Sequence, residues 1–171
     1  MQTHDPQSVQ AFADVLSAND DHAGAFRLAA LEARAAKGLA VLTCMDSRID
    51  PLGMLGLAPG DAQILRNAGA RVTGDVLRTL VLATYLLGVE RVMVVAHTRC
   101  RMAGSTADAV HDAIAAAGGP DTRSLSFLTT TEQEAALCSD VQRVRSSPYL
   151  PRVVVAGFFY DLDTGRLRHV C

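Results

Sequence analysis

The sequence predicts an α/β fold: a central, mostly parallel β-sheet of about four parallel strands in the order 2-1-3-4, closed by an antiparallel C-terminal edge strand and flanked by helices. Three observations predict it. Short apolar, partly β-branched runs recur along the chain and alternate with longer segments whose apolar residues follow a helical period. These runs lack polar alternation, as strands covered on both faces do. Near the C-terminus, the turn-forming residues Asp163, Thr164 and Gly165 separate two strand-like runs, which predicts a hairpin.

The elements follow in order. Asp5 before Pro6 reads as a helix cap with proline at the first helical position, and Val9, Phe12, Ala13 and Leu16 then recur at helical spacing. A second helix is expected from about Asp21 to Lys37, stopped by Gly38. Its Phe26, Ala30, Ala33 stripe is thin for a core-facing helix, so the N-terminal helices are expected to pack on a partner subunit. Strand signals fall at Leu39 to Cys44, Gln63 to Arg66, Arg91 to Ala96 and Arg152 to Phe159, with the edge strand at Arg166 to Val170. Helices are expected near Pro51 to Leu57, Asp75 to Leu87, Ser105 to Ala117 and Thr131 to Ser146. The Asp75 to Leu87 helix is apolar nearly all round, so both of its faces should be covered, the second of them by another subunit. A βαβ succession with right-handed crossovers allows the first strand to lie between the second and third.

Composition narrows the function classes. The 171 residues are 49% hydrophobic and 20% charged, which suits one globular domain over residues 1–171 and not a disordered chain. With 16 basic against 18 acidic residues there is no basic surplus for a phosphate backbone, so no nucleic-acid partner is expected. No apolar run reaches the roughly 18–20 residues of a membrane span, and MQTHDPQSVQ lacks the pattern of a signal peptide. No membrane partner and a cytoplasmic location are therefore expected. In that reducing compartment the four cysteines read as ligands, catalysts or core residues more readily than as disulfide partners.

Ligands of open α/β sheets bind beyond the carboxyl ends of strands, where the strand order reverses. The first strand runs into Cys44, Met45, Asp46, Ser47, Arg48, and the third into His97, Thr98, Arg99, Cys100. With the first strand between the second and third, Cys44, His97 and Cys100 converge. Two thiolates and an imidazole suit tetrahedral zinc, and three protein ligands leave one position open, as in catalytic sites. Asp46 is then either an orienter of the nucleophile or an occupant of the open position, and Arg48 can hold it in a bidentate pair. Cys138 and Cys171 receive no role: the first reads as a half-buried small residue, the second as a free terminal thiol. His4, His22, His111 and His169 lack ligand partners at suitable spacing.

At these residues the sequence resembles the β-class carbonic anhydrases. The resemblance rests on CMDSR at Cys44 to Arg48, RNAG at Arg66 to Gly69, HTRC at His97 to Cys100 and GFFYDLDTGRL at Gly157 to Leu167, and covers the chain from about Leu39 onward. It implies that Cys44, His97 and Cys100 bind Zn2+ and that Asp46 and Arg48 form the catalytic dyad. The implied reaction is reversible hydration of carbon dioxide to bicarbonate and a proton by zinc-bound hydroxide. The implied assembly is a homodimer or higher homo-oligomer with sites at the subunit interface. Two alternatives use the same ligands: hydrolysis of carbonyl sulfide or carbon disulfide, and a non-catalytic zinc-binding member of the fold. Two positions depart from the family pattern. Arg101 stands where glycine is common, and Arg99 where a small or acidic residue is usual. Both could attract anions, crowd the mouth of the site or simply be solvated. At RNAG, Gly69 is expected to allow close backbone approach or a simple turn, and Arg66 to hold an anion or enter a salt bridge.

Overall fold

The computed structural model of the chain describes residues 9–150 and 152–171. It contains two compact units, residues up to Leu31 and Glu32–Cys171. In the first, helix α1 (Ala13–Ala25) buries none of its residues, and Phe12, Val15 and Leu16 are exposed. The expected Asp5–Pro6 cap lies outside the described residues. The second expected helix, Asp21 to Lys37, is corrected: α1 ends at Ala25, Phe26 is extended, and no regular element follows until the first strand. Tertiary hydrogen bonds explain this. The amides of Ala35, Ala36 and Lys37 donate to the carbonyls of Leu87, Gly60 and Asp61, each at 2.9 Å, so the segment spends its backbone donors on neighbouring loops.

The second unit is the sheet and its helices. Strands β1 (Leu39–Cys44), β2 (Ala62–Asn67), β3 (Arg91–His97), β4 (Val154–Tyr160) and β5 (Leu167–His169) lie in the order β2-β1-β3-β4-β5. The first four run parallel and β5 is antiparallel to β4, as the pattern predicted. Helices α2 (Gly74–Leu86), α3 (Ala107–Ala116) and α4 (Gln133–Arg145) connect them. The expected Pro51 to Leu57 helix is one short turn, Gly53–Leu55, ended by the left-handed Gly56.

β1 is buried along its whole length, which is why its sequence shows no alternation. Alternate residues nevertheless serve different faces. Ala40 and Leu42, with Val92 and Val94 of β3, meet Val76 and Leu80 of α2 and Leu137, Val141 and Val144 of α4. Leu39, Val41 and Val95 meet Met54, Leu55, Leu57 and Phe158 instead. Each fully buried Leu or Val contributes about 1.5–3 kcal/mol to this core. On α2, Leu82, Tyr85 and Leu86 are exposed. No helix among the described residues is long and apolar enough to cross a membrane.

The reading of Cys138 and Cys171 is corrected. They form a disulfide, with Cα atoms 5.8 Å apart. Cys138 is on α4, which packs against β4, and the terminal residue lies beside the same strand through Cys171 O accepting from Gly157 N at 2.6 Å. The two cysteines are 33 residues apart in sequence, and only the packing of α4 on β4 makes them neighbours. A cross-link over that separation restricts the unfolded chain by about 3–4 kcal/mol. Cys138→Ser should therefore lower stability by about that amount under oxidising conditions, and the difference from the parent protein should vanish in a thiol reductant. Urea denaturation with and without dithiothreitol checks this.

Candidate metal centre

The site lies at the carboxyl ends of β1 and β3. The β1–β3 register pairs Thr43 with Val95, so Cys44 and His97, one register step apart, end adjacent strands at the same edge of the sheet. Cys100 follows one short turn later. Cys44, His97 and Cys100 are all buried, and their candidate ligand atoms lie within 4.8 Å of one another. The two sulfurs are 3.9 Å apart. Two thiolates bound to one tetrahedral zinc at about 2.3 Å stand about 3.8 Å apart, so the spacing is compatible with that ion.

His97 supports the same fit. Its Nδ1 lies 2.9 Å from the carbonyl of Thr98, which places the ring proton there. Nε2 then carries its lone pair, and it is buried with no hydrogen-bond partner among the described residues. An orphaned buried acceptor costs about 1–3 kcal/mol, and a metal ion beside the two sulfurs relieves it. Gln133 Nε2 donates to the His97 carbonyl at 3.1 Å, and Thr98 Oγ1 accepts from Leu162 N at 3.0 Å.

The sulfurs are unequal. The hydrogen bond from the Cys100 thiol is the main cause that draws the Cys44 pKa well below its ordinary value, against the penalty of burial. The backbone amides of Asp46 and Gly69 add to it. The same contact, with burial, pushes the Cys100 thiol up.

Asp46 sits at the edge of the cluster, its Oδ2 4.0 Å from His97 Nε2. Arg48 grips both of its oxygens: Nε and the backbone amide donate to Oδ1 at 2.9 and 3.0 Å, and Nη2 donates to Oδ2 at 2.6 Å. This bidentate clamp holds the Asp46 carboxyl well below the usual carboxylate range. The Arg48 Nη2 group is itself steered by the carbonyl of Arg99 at 3.2 Å.

The remaining arginines part ways. Arg66 pairs with no carboxylate among the described residues, where a salt bridge was one expectation. Its Nε donates to Cys44 O at 2.9 Å and its Nη2 to Asp46 O at 2.6 Å, fixing the CMDSR backbone. Arg99 takes the left-handed conformation, φ 56°, in the ligand turn, and pairs outward with Asp163 at 2.7 Å. Arg101 sits in a short helical turn and lines the cleft with Met45, Ala68 and Met102. Gly69 has φ 79°, and a β-carbon there would stand 3.2 Å from Met102 Cβ, so both the turn and the close approach require glycine. Sequence reasoning missed Gln133, Thr98 and the Arg99 carbonyl, because each acts through contacts between segments far apart in the chain.

A thiolate–imidazole cluster at the ends of parallel strands, with a clamped carboxylate beside it, defines an α/β protein built around a candidate metal centre. Comparison with known proteins narrows the class. The carbonic anhydrase family model matches residues 39–118. Beta-carbonic anhydrase 1 of Mycobacterium tuberculosis is 33% identical over 160 residues, 92% of this chain and 96% of that protein. The crystal structure of a carbonic anhydrase from Streptococcus mutans superposes with a TM-score of 0.87 at 35% identity, covering 94% of this chain and 97% of that one. A carbon disulfide hydrolase from Acidianus sp. is 33% identical over 153 residues, 75% of this chain and 74% of that protein. The chain belongs to the β-class carbonic anhydrase family of enzymes.

Proposed function

We propose that the protein catalyses reversible hydration of carbon dioxide to bicarbonate and a proton, with Zn2+ held by Cys44, His97 and Cys100. The observation that carries this reading is the convergence of three ligand atoms within 4.8 Å beside a carboxylate held by arginine. Zinc, when bound, supplies a Lewis acid and acidifies a water to near neutral pH. The chain's own residues do the rest. Asp46, kept ionised by Arg48, accepts a hydrogen bond from the attacking water and orients its lone pair towards the substrate carbon. Arg48 fixes the carboxylate by three donors, so Asp46 stays out of the ligand set. Met45, Ala68 and Met102 give the cleft an apolar wall that suits a small neutral gas. Arg101 stands at the mouth, where its charge favours the anionic product.

Residues 1–171 act in this reading as one catalytic domain, working as a homodimer or larger homo-oligomer. The exposed Phe12, Val15 and Leu16, and the exposed Leu82, Tyr85 and Leu86, are the surfaces a second copy would cover. A cytoplasmic location belongs to the same reading, and a reducing cytoplasm would keep Cys138 and Cys171 as thiols. The carbon disulfide hydrolase relative favours a second reading, hydrolysis of carbonyl sulfide or carbon disulfide at the same centre. Stopped-flow hydration of carbon dioxide by zinc-quantified protein at about pH 7 and pH 8.5, with carbonyl sulfide in parallel, separates the two. Turnover of carbon dioxide is expected at both values. Turnover of the sulfur substrate alone selects the second reading, and a zinc-loaded protein inactive on both removes them together.

Metal uptake carries its own pH signature. Zinc takes both sulfurs as thiolates, so its binding near pH 7 should release protons. Affinity should then fall as pH falls, since protons compete for the sulfurs. Calorimetry in two buffers of different ionisation enthalpy counts the protons, and a count of zero contradicts the two-thiolate ligand set.

A further inference from the structure

We propose that Arg71 and Asp140 are positioning residues for the metal centre: their part-buried ion pair braces, against α4, the turn that packs on Cys44. The proposal rests on the zinc reading above and adds to it a part of the molecule outside the cleft. Arg71 Nε donates to Asp140 Oδ2 at 2.6 Å, with the two side chains 19% and 7% exposed. The same guanidinium donates through Nη1 to Leu128 O at 2.7 Å.

Arg71 also closes the turn that begins at Asn67. Its amide donates to Asn67 Oδ1 at 2.8 Å, and Asn67 Nδ2 donates back to Arg71 O at 2.7 Å. Between these ends lie two successive left-handed residues, Gly69 at φ 79° and the buried Ala70 at φ 57°. An alanine held there is strained and persists only where surrounding contacts over-determine it. The other side of the turn faces the ligands. Asn67 O accepts from Met45 N at 3.0 Å. The Gly69 amide lies against the Cys44 sulfur. Gly69 also abuts Met102, two residues beyond Cys100.

Helix α4 backs both halves of the ligand set. Gln133 and Asp140 are seven residues apart, on one helical face with the buried Leu137, Val141 and Val144. Gln133 reaches the carbonyl of His97, and Asp140 reaches the Cys44 turn through Arg71. Partners of this kind hold ligands in register before the ion arrives, and removing them typically lowers metal affinity or activity by roughly 10–100-fold.

A buried ion pair can often be exchanged for apolar residues of similar volume without loss of stability, which separates positioning from mere support. The test is the pair Arg71→Met with Asp140→Leu, made together, alongside Leu137→Ala. The latter weakens packing of the same helical face but touches neither the turn nor a ligand. Zinc affinity is read by chelator competition, the thiolate environment by the cobalt–sulfur charge-transfer band of Co2+-loaded protein, and folding by urea denaturation. The double variant should unfold at close to the parent urea midpoint, bind zinc roughly 10–100-fold more weakly and shift the cobalt band. Leu137→Ala should lose stability and keep both metal readouts. Unchanged affinity and band in a folded double variant overturn the proposal, as does an equal loss in Leu137→Ala. Should the double variant fail to fold, Asp140→Asn decides. It keeps the shape of the side chain but removes the charge that holds Arg71, so the band should shift, and an unshifted band overturns the proposal. A parent protein that binds neither ion overturns the zinc reading itself, before any variant is compared.

Discussion

Cys100→Ser should lower zinc affinity on the order of a thousandfold and reduce carbon dioxide hydration to the level of metal-free protein. A serine hydroxyl is not deprotonated at neutral pH and is a poor match for an ion that favours thiolate. The loss also removes the thiol that sits 3.9 Å from Cys44 and draws its pKa down, so the remaining ligand is weakened too. Cys44→Ser should behave alike. Cys138→Ser, whose sulfur belongs to the disulfide, should retain zinc. Metal quantification after dialysis against a chelator makes the comparison, and a Cys100→Ser protein with full zinc and full turnover would remove the site assignment.

Asp46→Asn should keep zinc and the fold while losing roughly 10²–10⁴ in turnover, the range a positioned proton acceptor contributes. The substitution is nearly isosteric, but it removes one of the two acceptors that Arg48 engages and presents an amide donor to the attacking water. Arg48→Met should fall by a similar factor, because it frees Asp46 from its clamp while leaving the three ligand side chains in place. The pH profile carries the sign. The hydrogen bonds from Arg48 lower the Asp46 carboxyl, so its ionised form, and the stability of its contact with Arg48, are present above the ordinary carboxylate range. They are lost only as pH falls well below that range. No inflection between about pH 5 and 9 should therefore belong to Asp46. Stopped-flow rates across that interval decide it, and wild-type turnover in zinc-loaded Asp46→Asn takes Asp46 out of the mechanism.

Legibility of the fold followed the range of the forces involved. β1 was readable to the residue because Leu39 to Cys44 is buried on both faces and its composition says so. The 26–37 segment was misread as helix because alanines favour a helix locally, whereas Ala35, Ala36 and Lys37 donate to Leu87, Gly60 and Asp61. The candidate site divides the same way. Cys44, His97 and Cys100 were found from their place after strands one and three, and the structure brings their ligand atoms together. The outward turn of Arg99 to Asp163 and the capture of two backbone carbonyls by Arg66 were not legible. Long, flexible side chains choose among acceptors that only the folded chain presents.

The sequence alone determined the α/β class and the three candidate ligands, because each follows from local pattern, and it anticipated a strand order that right-handed crossovers permit. The tertiary structure alone decided the Cys138–Cys171 bond, the Arg71–Asp140 brace and the clamp geometry on Asp46. The first two join segments 33 and 69 residues apart. The clamp joins neighbours, but its aim depends on the Arg99 carbonyl, 51 residues from Arg48. Contacts of such range exist only after chain entropy has been overcome by the packing of the core, so no local pattern can encode their geometry.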